Sequence, residues 1–175
     1  MPQELDQGKV VAAIRQATGD VFSTMLGVEL TSLDAYRQPC RPEAADGVIG
    51  LVGLTGRWTG TGSIACTGEL ARKISGQFLM SEFASVDQEV LDAMGEITNM
   101  IIGNFKNALE EETGPLGMSI PMVVFGHNFT AGITHSADWV VAPFACDGGR
   151  LEVKACLFPQ PEKQSHRRPA SAPDE

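Results

Sequence analysis

Apolar residues recur at helical spacing from about Gly8 to Leu26, where Val10, Val11, Ile14, Ala17, Val21 and Met25 fall on one stripe. A longer stretch, SVDQEVLDAMGEITNMIIGNFKNALEEETG, carries the strongest helical pattern in the chain. Ser85 or Asp87 can cap it, Asp87 and Glu89 suit its N-terminus, and Gly114-Pro115 stops it. TGELARKISGQFL, with Glu69 in its first turn, predicts a shorter helix ending near Gly76 or a little beyond. Strand patterns occupy VIGLVGLTG, TGTGSIACT, MSIPMVVFG and ADWVVAPFACD, with RWTG a turn between the first two. The glycines of TGTGSIACT predict close approach by a neighbour. DGG then turns the chain into RLEVKACLF as a hairpin. Ser32 to Gly47, rich in proline and polar groups, reads as a loop.

A shift of 76 residues aligns ATGDVFSTMLG (Ala17–Gly27) with AMGEITNMIIG (Ala93–Gly103) without a gap. Both glycines coincide, Asp20 falls on Glu96, and Ser23 falls on Asn99. Each copy precedes strand-like segments, so a helix-plus-strands unit occurs twice. Strand runs between helices predict an α+β fold: two pseudo-symmetric halves with a largely antiparallel sheet covered by long helices.

Composition narrows the field. Hydrophobic residues make up 43% of the 175, enough for a core. A net charge of −9 repels phosphate backbones, so nucleic acid is not an expected partner. No run is long and apolar enough for a membrane helix, and the N-terminus lacks signal-peptide order, so a cytoplasmic protein is expected. Cys40, Cys66, Cys146 and Cys156 form no CxxC pair, and His127, His135 and His166 are scattered. They read as reduced core thiols without a metal site. From Pro159 to Glu175 the proline-rich PQPEKQSHRRPASAPDE reads as a disordered tail behind a domain of residues 1–158. The basic His166-Arg167-Arg168 within it reads as solvated.

Candidate chemistry lies on the long helix. At about 100° per residue, Glu96, Asn99 and Gly103 share one line on its polar side, with Asp92 and Lys106 close by. Met100 and Asn107 lie just beyond Glu96, while Val90, Leu91, Met94, Ile97, Ile101, Phe105, Ala108 and Leu109 form the opposite half. An ordinary solvated face gives the same wheel. Two features point further: asparagine suits a helix interior poorly, and Gly103 removes bulk beside Asn99. Gly95, nearer the apolar side, permits close packing.

These residues, read as Asp92-x-x-Gly95-Glu96-Ile97-x-Asn99-x-Ile101-x-Gly103-Asn104, resemble the signature of the CheX/CheC family of chemotaxis phosphatases, nearer its CheX branch. MSIPMVVFGH, with Pro121 and Gly126, resembles the family's next strand. The resemblance covers most of residues 1–158 and is strongest from Val86 to Gly126. It implies hydrolysis of the aspartyl-phosphate of a CheY-like response regulator. Asn99 would position the attacking water, and Glu96 would anchor the regulator's active-site lysine. Asp92, Met100, Gly103 and Lys106 would surround them as partner-binding residues. The resemblance implies Mg2+ held by the regulator, no cofactor on this chain, and a homodimer. With Asp20 and Ser23 in place of the glutamate and asparagine, the first copy reads as structural. The alternatives are a non-catalytic receiver-binding or flagellar-switch-type module, and a small-ligand or metal-dependent enzyme. The lack of a clustered His/Cys/Asp set argues against the latter.

Overall fold

The first helix begins where Asp6 accepts a hydrogen bond from the Lys9 amide at 2.9 Å. This computed structural model describes residues 4–41, 43–132 and 137–161. Helix α1 (Gln7–Val21) continues into a π-helical turn, Phe22–Leu26. Thr67 caps α2 (Gly68–Leu79), and Asp87, rather than Ser85, caps α3 (Gln88–Ala108).

The long helix expected to reach Gly114 breaks at Leu109, followed by the short α4 (Glu110–Thr113). Leu109 leaves helical geometry and is buried. The break moves Glu110, Glu111 and Glu112 from the C-terminus of a helix, where carboxylates oppose its dipole, to the first turn of another.

Among the described residues, eight strands form one antiparallel sheet: β1 (Thr31–Ser32), β2 (Tyr36–Gln38), β3 (Glu43–Gly56), β4 (Trp58–Cys66), β5 (Leu116–Met118), β6 (Met122–Ala131), β7 (Trp139–Cys146) and β8 (Gly149–Pro159). The order is β1-β7-β8-β4-β3-β5, with β2 also on β7 and β6 also on β3. The expected α+β fold of two related halves is present. Each half runs helix, two outer strands, then a hairpin. β4 and β8 pair at the centre, β1 and β2 cross to β7, and β5 and β6 cross to β3. Each hairpin is therefore completed by the other half's outer strands.

Several local expectations change. The presumed loop Ser32–Gly47 contains β2 and the start of β3, because backbone pairing to β7 and β6 needs no apolar side chains. The turn expected over RWTG narrows to Arg57, with Trp58 already buried in β4. The strand expected over Met118–Gly126 is interrupted at Ser119–Pro121, where proline has no amide to donate. Pro159, expected to open the tail, pairs with Trp58. Residues 162–175, the remainder of that tail, lie outside the described residues. Asp147 and Gly148 both have positive φ (47° and 76°), the type I′ geometry of a two-residue hairpin turn.

The helices cover one face of the sheet. The other carries a small cluster of Trp139, Val141 and Cys156 with Cys40, Ala137 and Phe158. Helix α3 lies across β3 and β4 where both present glycine. A Cβ on Gly50 would come within 2.1 Å of the Thr98 hydroxyl, and one on Gly62 within 2.5 Å of Ile102. The close approach expected of the second strand's glycines is therefore real: Gly62 faces α3, and Gly60 faces the backbone of Cys156 and Leu157 on β8. Gly50→Ala is expected to cost about 1–3 kcal/mol, because Thr98 is short, β-branched and fully buried. Urea denaturation measures this, and an unchanged midpoint would contradict the close seat.

Candidate functional site

Helix α3 packs on the sheet below and against α1 and α2. Its buried residues include Val90, Ala93, Met94, Gly95, Ile97, Thr98, Ile101, Ile102 and Phe105. This arc is wider than an apolar half-wheel, since Ala93, Gly95 and Thr98 are inside as well. Thr98 satisfies its hydroxyl by donating to the Met94 carbonyl at 2.6 Å. Two residues placed on the buried half by the wheel differ: Leu91 is half-buried and Ala108 is exposed.

A narrow strip of α3 stays accessible. Glu96 is exposed and Asn99 half-buried, and among the described residues neither side chain has a hydrogen-bond or ionic partner. Their neighbours are occupied. Gln88 donates to Asp92 at 2.7 Å, and Lys106 donates to the Asn107 side chain at 3.0 Å. Met100 is half-buried against the main core. Gly103 is half-buried, and a Cβ there would meet the Met118 thioether at 3.7 Å. The structure thus brings Asp92, Glu96, Asn99, Gly103 and Lys106 onto one strip, with Met100 at its border.

The helical wheel did not reveal the opposite wall. A shallow groove runs between Gln88, Leu91, Asp92, Gly95 and Glu96 on α3 and, opposite them, Pro121 just before β6 and Val123 within it. Proline within a strand-like run was the available signal, since it marks an edge or a bulge. Gly95 packs here: its Cβ position lies 3.4 Å from Val123 and 3.9 Å from Pro121.

The first copy takes a different shape. Thr24 donates to the Asp20 carbonyl at 2.6 Å and Ser23 to the same oxygen at 3.3 Å, within the π-helical turn. Met25, the counterpart of buried Ile101, is 49% exposed. Gly27 caps the helix with φ 66°, whereas Gly103 remains inside one.

Cys66, Cys146 and Cys156 are buried, and burial pushes the Cys66 and Cys156 thiols up to about 12, leaving them protonated at neutral pH. Among the described residues no group of three or more His, Cys, Asp or Glu could hold a metal ion. No described helix is long and apolar enough to cross a membrane.

The family model described as chemotaxis phosphatase CheX matches residues 48–145, more than half of the chain. The chain belongs to the CheX family. Chemotaxis protein CheX from Desulfovibrio desulfuricans is 28% identical with a TM-score of 0.76, over 85% of this chain and 99% of that one. CheX from Vibrio vulnificus is also 28% identical with a TM-score of 0.75, over 85% and 99%. A CheX–CheY–BeF3–Mg2+ complex from Borrelia burgdorferi matches in fold at 22% identity and a TM-score of 0.72, over 85% and 97%. No match is found among curated proteins.

Because a Cβ at Gly103 makes only ordinary contact with Met118, Gly103→Ala is expected to stabilise the protein by about 0.5–1 kcal/mol. Chemical denaturation reads this directly, and a loss of stability would mean that the fold itself requires the glycine.

Proposed function

We propose that this protein hydrolyses the aspartyl-phosphate of a CheY-like response regulator. One observation carries the reading: Glu96 and Asn99 stand together on a rigid helix, open to solvent, with both side chains unengaged among the described residues. Membership of the CheX family supports the reaction class. The Borrelia burgdorferi structure, in which a CheX is bound to CheY, supports the class of partner.

An acyl phosphate is already reactive, so the enzyme has no nucleophile to build. It must place a water in line with phosphorus and hold it there. The Asn99 side chain suits that task. Its carbonyl oxygen accepts from the water, while its amide nitrogen donates to a phosphoryl oxygen. An amide does not titrate in this range, so Asn99 brings no pH dependence of its own. Glu96 pairs with the lysine of the regulator's active site and so fixes the register of Asn99 over the phosphoryl group. Mg2+ belongs to the regulator, and this chain supplies no metal ligand. Asp92, Met100, Gly103 and Lys106 form the surrounding contact. Asp20 and Ser23 serve structure in the first copy. The protein works in the cytoplasm as a homodimer, as its family resemblance implies.

Phosphate release from a phosphorylated receiver in Mg2+ tests the reaction. Asn99→Ala is expected to lower stimulated release on the order of 100-fold or more while binding persists. Glu96→Ala is expected to weaken both binding and turnover. Full activity in Asn99→Ala would sink the mechanism. Binding without acceleration by the unmodified protein would favour a docking module.

A further inference from the structure

The face of the sheet turned away from the helices holds a cavity of about 290 Å3. Residues of β3, β4 and β8 form its floor, and Cys40 and Arg41, just after β2, stand in its wall. It shares no lining residue with the groove beside Glu96. Strand alternation fixes which side chains face it. Gly50 and Gly62 point at α3, so Ile49, Leu51 and Ser63 point to the opposite face. Leu51 pairs with Ser63, and Ser63 with Lys154, so these three share that face. All of them line the cavity.

Ser63 is the anomaly. It is fully buried, and among the described residues its hydroxyl is the one buried side-chain polar atom without a hydrogen-bond partner. A buried hydroxyl left unpaired is costly, and such groups are nearly always matched. Thr18 and Thr98, equally buried, donate to helix carbonyls at 2.7 Å and 2.6 Å. Ser63 faces a cavity instead, where a bound molecule can supply the acceptor.

The charges around it are unevenly matched. Three carboxylates line the cavity, and each is engaged. Glu43 accepts from the Gln38 side chain, Asp46 from the Asn128 amide, and Glu152 from Arg150 at 3.0 Å and Tyr36 at 3.2 Å. Neither cation in the lining, Lys154 or Arg41, has a carboxylate partner among the described residues. The Lys154 ammonium lies instead over the Trp139 ring, 4.7 Å from its centroid.

We propose that this cavity binds a small organic monoanion, a carboxylate on an apolar or aromatic body. The carboxylate pairs with Lys154 and Arg41 and accepts from the Ser63 hydroxyl. The body rests on Ile49, Leu51 and Ala65, the apolar part of the lining. This site lies across the sheet from Glu96 and Asn99 and does not rest on the function given above.

Calorimetric titration of benzoate onto the full chain, with inorganic phosphate and benzylammonium in parallel, tests the assignment. Benzoate is expected to occupy one site per chain with Kd of about 1 mM or tighter. Phosphate lacks the apolar body and benzylammonium has the opposite charge, so each is expected to bind about tenfold or more weakly. Lys154→Met, which keeps the stem, is expected to weaken benzoate about tenfold. Ser63→Ala is expected to weaken it as well, and to raise the melting temperature of the ligand-free protein by removing an unpaired buried hydroxyl. Unchanged benzoate affinity in both variants would overturn the inference, as would benzylammonium binding as tightly as benzoate. Absence of benzoate binding, with a melting temperature that rises with protein concentration, would give this face to a second copy of the chain instead; absence of benzoate binding alone would overturn the site.

Discussion

The seat of α3 on two glycines organises this molecule. Thr98 and Ile102 lie four residues apart on the helix and face Gly50 and Gly62 on adjacent strands, where any side chain would collide. The helix can therefore lie close to the sheet. With α1 and α2 also packed against it, it is buried over about half of its circumference. What remains open is the strip that carries Glu96 and Asn99. A helix packed on a sheet and on two other helices is a rigid platform, and rigidity is what an amide needs to hold one water in one orientation.

The two halves show how one pattern supports two outcomes. Both helices carry the same glycine spacing, yet the first widens into a π-helical turn and stops at Gly27, while the second continues past Gly103. Phe105, fully buried two residues further on, gives the second helix a reason to continue. In the first, hydroxyls at Ser23 and Thr24 bond back to the Asp20 carbonyl, and Met25 turns outward. The shared glycines consequently have different roles: a left-handed cap in one copy, and a half-buried contact with Met118 in the other.

The exchange of outer strands explains why the halves cannot be read separately. β1 and β2 complete the second half's hairpin, and β5 and β6 complete the first's. The Lys9–Glu112 ion pair adds a further tie between the start of α1 and α4. Each edge segment next to α3 thus belongs to a sheet built jointly by both halves.

Local order was legible in the amino-acid sequence wherever the determining contacts are near neighbours. Asp87 caps α3 through an amide three residues away, Asp147-Gly148 sets a two-residue turn, and helical period alone puts Glu96, Asn99 and Gly103 on one line. The strand glycines announced that something would come close, without saying what. The tertiary structure decided the rest. Polar β2 became a strand because β7 offered it a backbone ladder, and no side-chain period records such pairing. The long helix broke at Leu109, whose side chain stays buried although its backbone leaves helical geometry. Ser119 was fixed at the sheet edge by Gly53, a residue 66 positions away. Sequence periodicity reports which face of an element is wet; only packing reports which wet faces meet.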